Sequence, residues 1–188
     1  MNLTKILFTV MALITSATAW SVPVTWSANG HQYEVIQAPA ITWAAARAQA
    51  QSKGAGWDLA TITSLDEQLF IANMLTPLTT FSFTEYLIGG YDATDGDGFN
   101  SGWAWVTGEA FSWTFWGAGE PNSGAPVEGF IGLDNRFNSP NWGWNDYPGG
   151  THAYIAGFVA ERHTAVAAPS VLGLLGFALL GVVRSRRR

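Results

Sequence analysis

The chain has 188 residues, enough for one domain with a substantial core, and sets nine Lys and Arg against fourteen Asp and Glu, a net charge of −5 at pH 7. That acidic balance argues against a nucleic-acid surface and favours cations. Cysteine is absent, so no disulfide offsets chain entropy; stability has to come from packing or from bound metal, and ten Trp and the eleven Phe less Phe8 and Phe177 near the two ends supply the packing.

The first residues carry Lys5, an apolar run from Ile6 to Ile14 and then Ala17-Thr18-Ala19. This order of charge, apolar core and small residues is that of a secretory signal, with cleavage expected after Ala19. Setting aside residues 1–19 and an apolar C-terminal stretch, 165–188, leaves 20–164 as a single domain. Four bases (Arg47, Lys53, Arg136, Arg162) remain there against all fourteen acids, a net charge of −10.

Within it, His31 to Gln37 reads as a strand that ends at Ala38-Pro39. Thr42 can cap a helix over the alanine-rich segment Trp43 to Ala50, which Gly54 terminates. Leu59 to Ile62 reads as a short strand. Ser64 and Glu67 form a capping box for a second helix, with Leu65, Leu69 and Ala72 on one face and Thr76-Pro77 as its stop. The later candidate strands are Tyr86–Gly89, Trp103–Val106, Phe130–Leu133 and Tyr154–Ala160. Trp103-Ala104-Trp105 and Phe111-Ser112-Trp113-Thr114-Phe115 alternate as strands with one buried face do. Two helices followed by a loop-rich β half give an α+β class.

A series of words follows the same order: Ile41-Thr42-Trp43, Asp58 to Ile62, Leu87-Ile88-Gly89-Gly90, Trp103 to Gly108, Glu120-Pro121-Asn122 and Trp144-Asn145-Asp146. Together they resemble a C-type lectin-like domain over about Trp26 to Glu161. The resemblance implies two helices and two small antiparallel sheets with long loops. It also implies where two family disulfides would lie: Ala50 and Ala160 stand at one pair of positions, Phe130 and Gly149 at the other.

Calcium takes six to eight oxygen ligands, so a site needs several carboxylates and amides from separate loops. Glu120, Asn122, Glu128, Asn145 and Asp146 match the family's sugar-binding calcium motif residue by residue. In that motif the same side chains ligate the ion and bond two neighbouring sugar hydroxyls. The resemblance further implies a cis Glu120-Pro121 bond. The order Glu-Pro-Asn is similar to that of mannose and glucose readers, with galactose disfavoured. In the long segment Asp134 to Gly143, Trp142 is a candidate stacking platform or a core residue, and Asp134 a candidate auxiliary calcium ligand. Asp92 to Gly98 reads either as a second calcium loop or as an exposed hairpin loop, and it lacks the EF-hand pattern. His31, His152 and His163 are scattered, without zinc-site spacing, and read as surface residues. No nucleophile elbow or phosphate loop is present. Glu120 and Glu128 as a glycosidase pair are the weaker reading, because both match calcium ligands. The expectation is a non-enzyme.

At the C-terminus, Val171 to Val183 is almost purely apolar and is followed by Arg184-Ser185-Arg186-Arg187-Arg188, which fits a membrane anchor with the domain facing outward. The tail resembles the PEP-CTERM sorting signal read by an exosortase, with Ala167-Ala168-Pro169-Ser170 where the family has Pro-Glu-Pro-Ser. A plain anchor is the alternative. The expected function is calcium-dependent binding of extracellular polysaccharide at the cell envelope; the alternative is a calcium-independent surface or matrix interaction protein.

Overall fold

The structure, a computed structural model, describes residues 22–78, 83–94, 102–124 and 126–163. The expected signal segment, the expected anchor and Asp95 to Gly98 lie outside them. Among the described residues, no helix is long and apolar enough to cross a membrane.

The chain runs β1 (Val24–Thr25), β2 (Gln32–Gln37), α1 (Trp43–Ser52), β3 (Trp57–Leu59), α2 (Leu65–Leu75), a 3-10 turn, β4 (Glu85–Asp92), β5 (Trp103–Trp105), β6 (Phe130–Asp134), β7 (Gly143–Tyr147) and β8 (Ile155–Arg162). Helix α1 starts as expected: Thr42 is extended and its side chain accepts from the Ala45 N–H at 3.2 Å. It buries Trp43, Ala46 and Ala50. In α2 the Ser64 hydroxyl accepts from the Glu67 N–H at 3.3 Å, but the buried face is not the one expected from leucine spacing. Glu67, Gln68, Ile71, Ala72 and Leu75 point inward while Leu65 is 47% exposed. The inward polar groups are partnered, which is what makes their burial tolerable. The Glu67 carboxylate reaches past the cap to accept from the Thr63 N–H at 2.8 Å and also accepts from the Tyr33 hydroxyl.

Strand β8 organises the sheet. It pairs antiparallel with β2 on one edge; its other edge is shared by β3, antiparallel, and β4, parallel. Strand β4 continues antiparallel to β5 and β6, and β6 to β7. The two expected sheets are therefore joined through the parallel β4–β8 pair. Strand β7, which carries Asn145 and Asp146, and the short β1 were not anticipated. Strand β3 falls two residues earlier than Leu59 to Ile62, although the Ala60 N–H still donates to the Val159 carbonyl at 2.9 Å. Phe111 to Phe115 alternates between half-buried and exposed without joining a strand, its rings lying on the core.

That core is aromatic. Trp144 is fully buried and meets Trp105, Trp113 and Trp116 edge-on at 5.4, 5.5 and 5.6 Å between ring centroids. Such contacts add to area burial by roughly 0.5–1.5 kcal/mol each. At the positions where the resemblance implies two disulfides, the structure has packing contacts. Ala50 and Ala160 are both fully buried in the cluster under α1. Gly149 has φ +78, and a Cβ there would lie 2.5 Å from Phe130 Cε2, so the phenyl ring rests directly on the glycine. Phe130 also meets Trp43 at a tilt, 4.5 Å between ring centroids, and the Trp43 backbone N–H donates to the Gly149 carbonyl at 3.1 Å. Gly149→Ala must displace the ring and hold a side chain in left-handed backbone, so it is expected to cost about 2 kcal/mol or more. A thermal melt within a degree of the parent would refute this.

Candidate ligand and metal site

The loop bearing Glu120 and Asn122 is laced to β7. The Trp144 N–H donates to the Phe115 carbonyl and the Gly117 N–H to the Trp144 carbonyl, both at 2.8 Å, so the next residues of each segment lie side by side. Gly119, at φ +93, turns the chain, and the Glu120-Pro121 bond is cis, as the resemblance implied. Beyond it, the Asn122 N–H donates to both Asp146 oxygens at 3.1 Å and the Ser123 N–H donates to Oδ2 at 2.7 Å. Asp146 is fully buried, so its charge is held by these backbone donors.

The other predicted residues gather around this clamp. The Asn122 amide donates to Glu120 Oε2 at 2.5 Å, and the Gly124 N–H donates to Glu128 Oε2 at 2.8 Å. Asn122 is exposed, Glu120 and Glu128 are half-buried, and Asn145 and Asp146, neighbours on β7, are buried. The Glu120 carboxyl is pushed up to about 7, first by burial, then by its hydrogen bond to Asp146 and by the charges of Asp146 and Glu128; Asn122 pulls the other way. Burial and Asp146 also raise Glu128, against the Gly124 N–H and nearby His152. Three acids crowded this closely repel one another, which a cation would relieve.

Two further candidates are used otherwise. Trp142 is 2% exposed, packs edge-on against Tyr86 at 5.8 Å and lies in the core, so it is no stacking platform. Asp134 is buried and clamped by Arg136, whose Nη2 donates at 2.6 Å and Nε at 2.9 Å. Asp92 accepts from the Thr94 N–H at 3.0 Å, as a turn residue does. His152 packs between Tyr147 and Tyr154. His31 and His163 are not scattered surface groups: their rings meet at 4.4 Å.

Sequence reasoning missed three contributors. Gln68 reaches from α2 to donate to the Asn141 and Trp142 carbonyls at 2.8 and 2.6 Å, while its Oε1 accepts from Trp144 Nε1 at 2.8 Å. A polar residue in register with Ile71, Ala72 and Leu75 was the available signal. Glu85 lies beside Asn145, and its two oxygens are buried without a hydrogen bond of good geometry. Burial and then Asp134 push its carboxyl well above the ordinary range, against the Asn145 amide and Arg136. Gly132 leaves room for it, since a Cβ there would overlap the Glu85 carboxyl. The backbone donors of Ser123 and Gly124 carry no sequence signal at all.

No family model and no curated protein matches this sequence. Solved structures match the fold. The C-type lectin CEL-I from Cucumaria echinata is 20% identical at a TM-score of 0.57, covering 78% of this chain and 96% of that one. The cow C-type carbohydrate-recognition domain of CD23, solved in the presence of a GlcNAc2Man3 oligosaccharide, is 21% identical at 0.53, covering 80% and 98%. A calcium-independent type II antifreeze protein is 22% identical at 0.51, covering 78% and 98%. The fold is that of a C-type lectin-like domain. In this lectin-like domain, then, the aromatic core and the Phe130–Gly149 contact hold a disulfide-free frame, and the acid and amide cluster lies where the Glu120 loop meets β7 and β6.

Proposed function

We propose that the protein is a calcium-dependent carbohydrate-binding lectin of the cell envelope or extracellular space. The observation that carries this reading is the meeting of Glu120, Asn122 and Asp146 through direct hydrogen bonds, with Glu128 near enough to raise the Glu120 carboxyl and Asn145 next to Asp146 on β7. The donor set is all oxygen, with three carboxylates and two amides, and suits a hard cation. Bound calcium would neutralise the crowded acids and offer open coordination positions to a vicinal diol. Glu120 and Glu128 on the rim accept from the sugar hydroxyls, and the Asn122 and Asn145 amides donate to them. Hydroxyls of the mannose or glucose type, as in an extracellular polysaccharide, are the proposed target, and turnover of the sugar is not expected. A glycan array run with calcium and again with chelator tests the proposal. Glu128→Gln is expected to lower calcium affinity at least tenfold, read by calorimetry, with the fold retained. If neither calcium nor this substitution alters glycan binding, the reading fails.

The likeness to a calcium-independent protein of the same fold supports the second reading, an interaction protein that uses the frame without calcium or sugar. Chelator-resistant partner binding without sugar competition would select it. Export through residues 1–19, anchoring through 165–188 and processing of that tail by an exosortase-like enzyme complete the proposal. Mass spectrometry of the native protein, read for both termini, tests all three.

A further inference from the structure

At the far end of β2 and β8, the register that pairs Tyr33 with Glu161 and Gln32 with Arg162 brings His31 opposite His163 one step further on. Alternate residues of a strand share a face, so His31 and Tyr33 of one strand and Glu161 and His163 of the other stand together on one side of the sheet. His31 Nδ1 lies 2.6 Å from Glu161 Oε1, and His163 Nε2 lies 3.6 Å from the same oxygen. The ligand-capable atoms of the three side chains are all within 4.8 Å of one another. Glu109, from the turn after β5, brings Oε2 to 3.7 Å from His163 Nε2.

From this geometry we propose a second metal site, in which His31, Glu161 and His163 bind a divalent cation of the zinc class with Glu109 as fourth ligand. The cation staples the beginning of β2 to the end of β8. Zinc bonds to nitrogen and oxygen of about 2.1 Å place tetrahedral ligands about 3.4 Å from one another. His163 Nε2 stands at nearly that separation from both carboxylates, and it is buried with no hydrogen-bond partner. A bare imidazole nitrogen between two carboxylates is costly unless a proton or a metal ion sits between them. The His31–Glu161 hydrogen bond has only to open by a small ring rotation to reach the same separation.

Outer hydrogen bonds fix the carboxylates. Glu161 Oε2 accepts from the Thr61 N–H at 2.9 Å, and Oε1 lies 3.1 Å from the Tyr33 hydroxyl oxygen, whose proton goes to Glu67. Thr107 donates to Glu109 Oε2 at 3.2 Å and is itself 2.8 Å from the Thr61 hydroxyl. Support of this kind is what orients metal ligands. A groove of about 380 Å3, lined by Gly56, Trp57, Asp58, Thr107 and His163, opens onto the site. Two imidazoles select a borderline transition metal over calcium, so the site is chemically distinct from the oxygen-only cluster.

The test uses the full chain in detergent, metal-stripped and then held in excess calcium, titrated with Co2+ and with Zn2+. One equivalent of Co2+ is expected to give the visible absorption of a four-coordinate N/O site, and Zn2+ to raise the unfolding midpoint. His31→Gln and His163→Gln should each weaken binding at least tenfold, while His152→Gln leaves it unchanged. Binding indifferent to His31 and His163, or equally sensitive to His152, overturns the proposal. Should either variant fail to fold, as judged by tryptophan emission, the parent decides: absence of a saturable one-to-one four-coordinate Co2+ spectrum overturns it. Because calcium is present throughout, the result is independent of the lectin reading.

Discussion

Gln68→Leu is expected to lower the unfolding free energy by about 3 kcal/mol and the melting temperature by roughly 10 °C. The substitution nearly conserves volume and improves hydropathy, so packing alone would predict a neutral or stabilising change. Against that, it orphans the Trp144 indole N–H and the carbonyls of Asn141 and Trp142, all of them now satisfied by one amide. Trp144 is fully buried and Trp142 is 2% exposed, so water does not readily replace the lost partner. A buried polar group left unpaired costs about 1 to 3 kcal/mol, and three are involved. Urea unfolding followed by tryptophan emission measures the change. A loss under 1 kcal/mol would mean that the aromatic contacts hold the segment before β7 without the glutamine. The same variant should weaken calcium binding although it touches none of the five proposed ligands, because Asn145 and Asp146 follow Trp144 directly. The link from helix face to site geometry is the α2 amide.

What was legible in the sequence was local. Thr42 and Ser64 announced the two helices because a cap is a contact between residues three apart. The Glu120 loop and the Asn145-Asp146 pair stood out because each is a run of neighbouring residues. Strand β7 did not, since Gly-Trp-Asn-Asp-Tyr mixes aromatics with polar residues and hides the alternation a strand is recognised by, yet all five are buried. The polar ones are buried because they face the loop and Glu85, not because they face the core. The inward face of α2 was misread for a related reason: leucine was assumed to point inward, whereas Glu67 and Gln68 have buried partners supplied by Tyr33, Trp144 and the long loop. The parallel β4–β8 pairing and the meeting of His31 with His163 join segments far apart in the chain, and no periodicity reports such register. Trp142 illustrates the converse, since in a chain without disulfides the tryptophans are what replaces them.

Asp146→Asn is expected to raise the calcium dissociation constant by at least about a hundredfold and to flatten its dependence on pH. In the parent, Glu120 titrates near 7, well above its ordinary value of 4.5, and the largest causes after burial are the hydrogen bond and the charge of Asp146. A carboxyl raised on folding contributes stability that is fully present below its unfolded value and is lost as pH rises through its folded value. In the absence of calcium this group therefore favours the folded loop at pH 4.5 and ceases to do so above about 7. Calcium takes the ionised form, so its affinity rises across the same window and binding expels the proton. Removing the Asp146 charge lets Glu120 ionise at lower pH, which moves the half-point of calcium binding downward even as the affinity falls. The loop has a separate reason to loosen, because the substituted side chain offers a single oxygen to the Asn122 and Ser123 donors and turns an amide N–H toward them as well. Calorimetric titrations with calcium at several pH values, in parent and variant, separate the two effects. A variant that loses affinity but keeps the parent's pH midpoint would show that Asp146 acts only as a backbone clamp. One that binds calcium as tightly as the parent would remove Asp146 from the ligand set and leave the cluster without the buried charge on which the lectin reading depends.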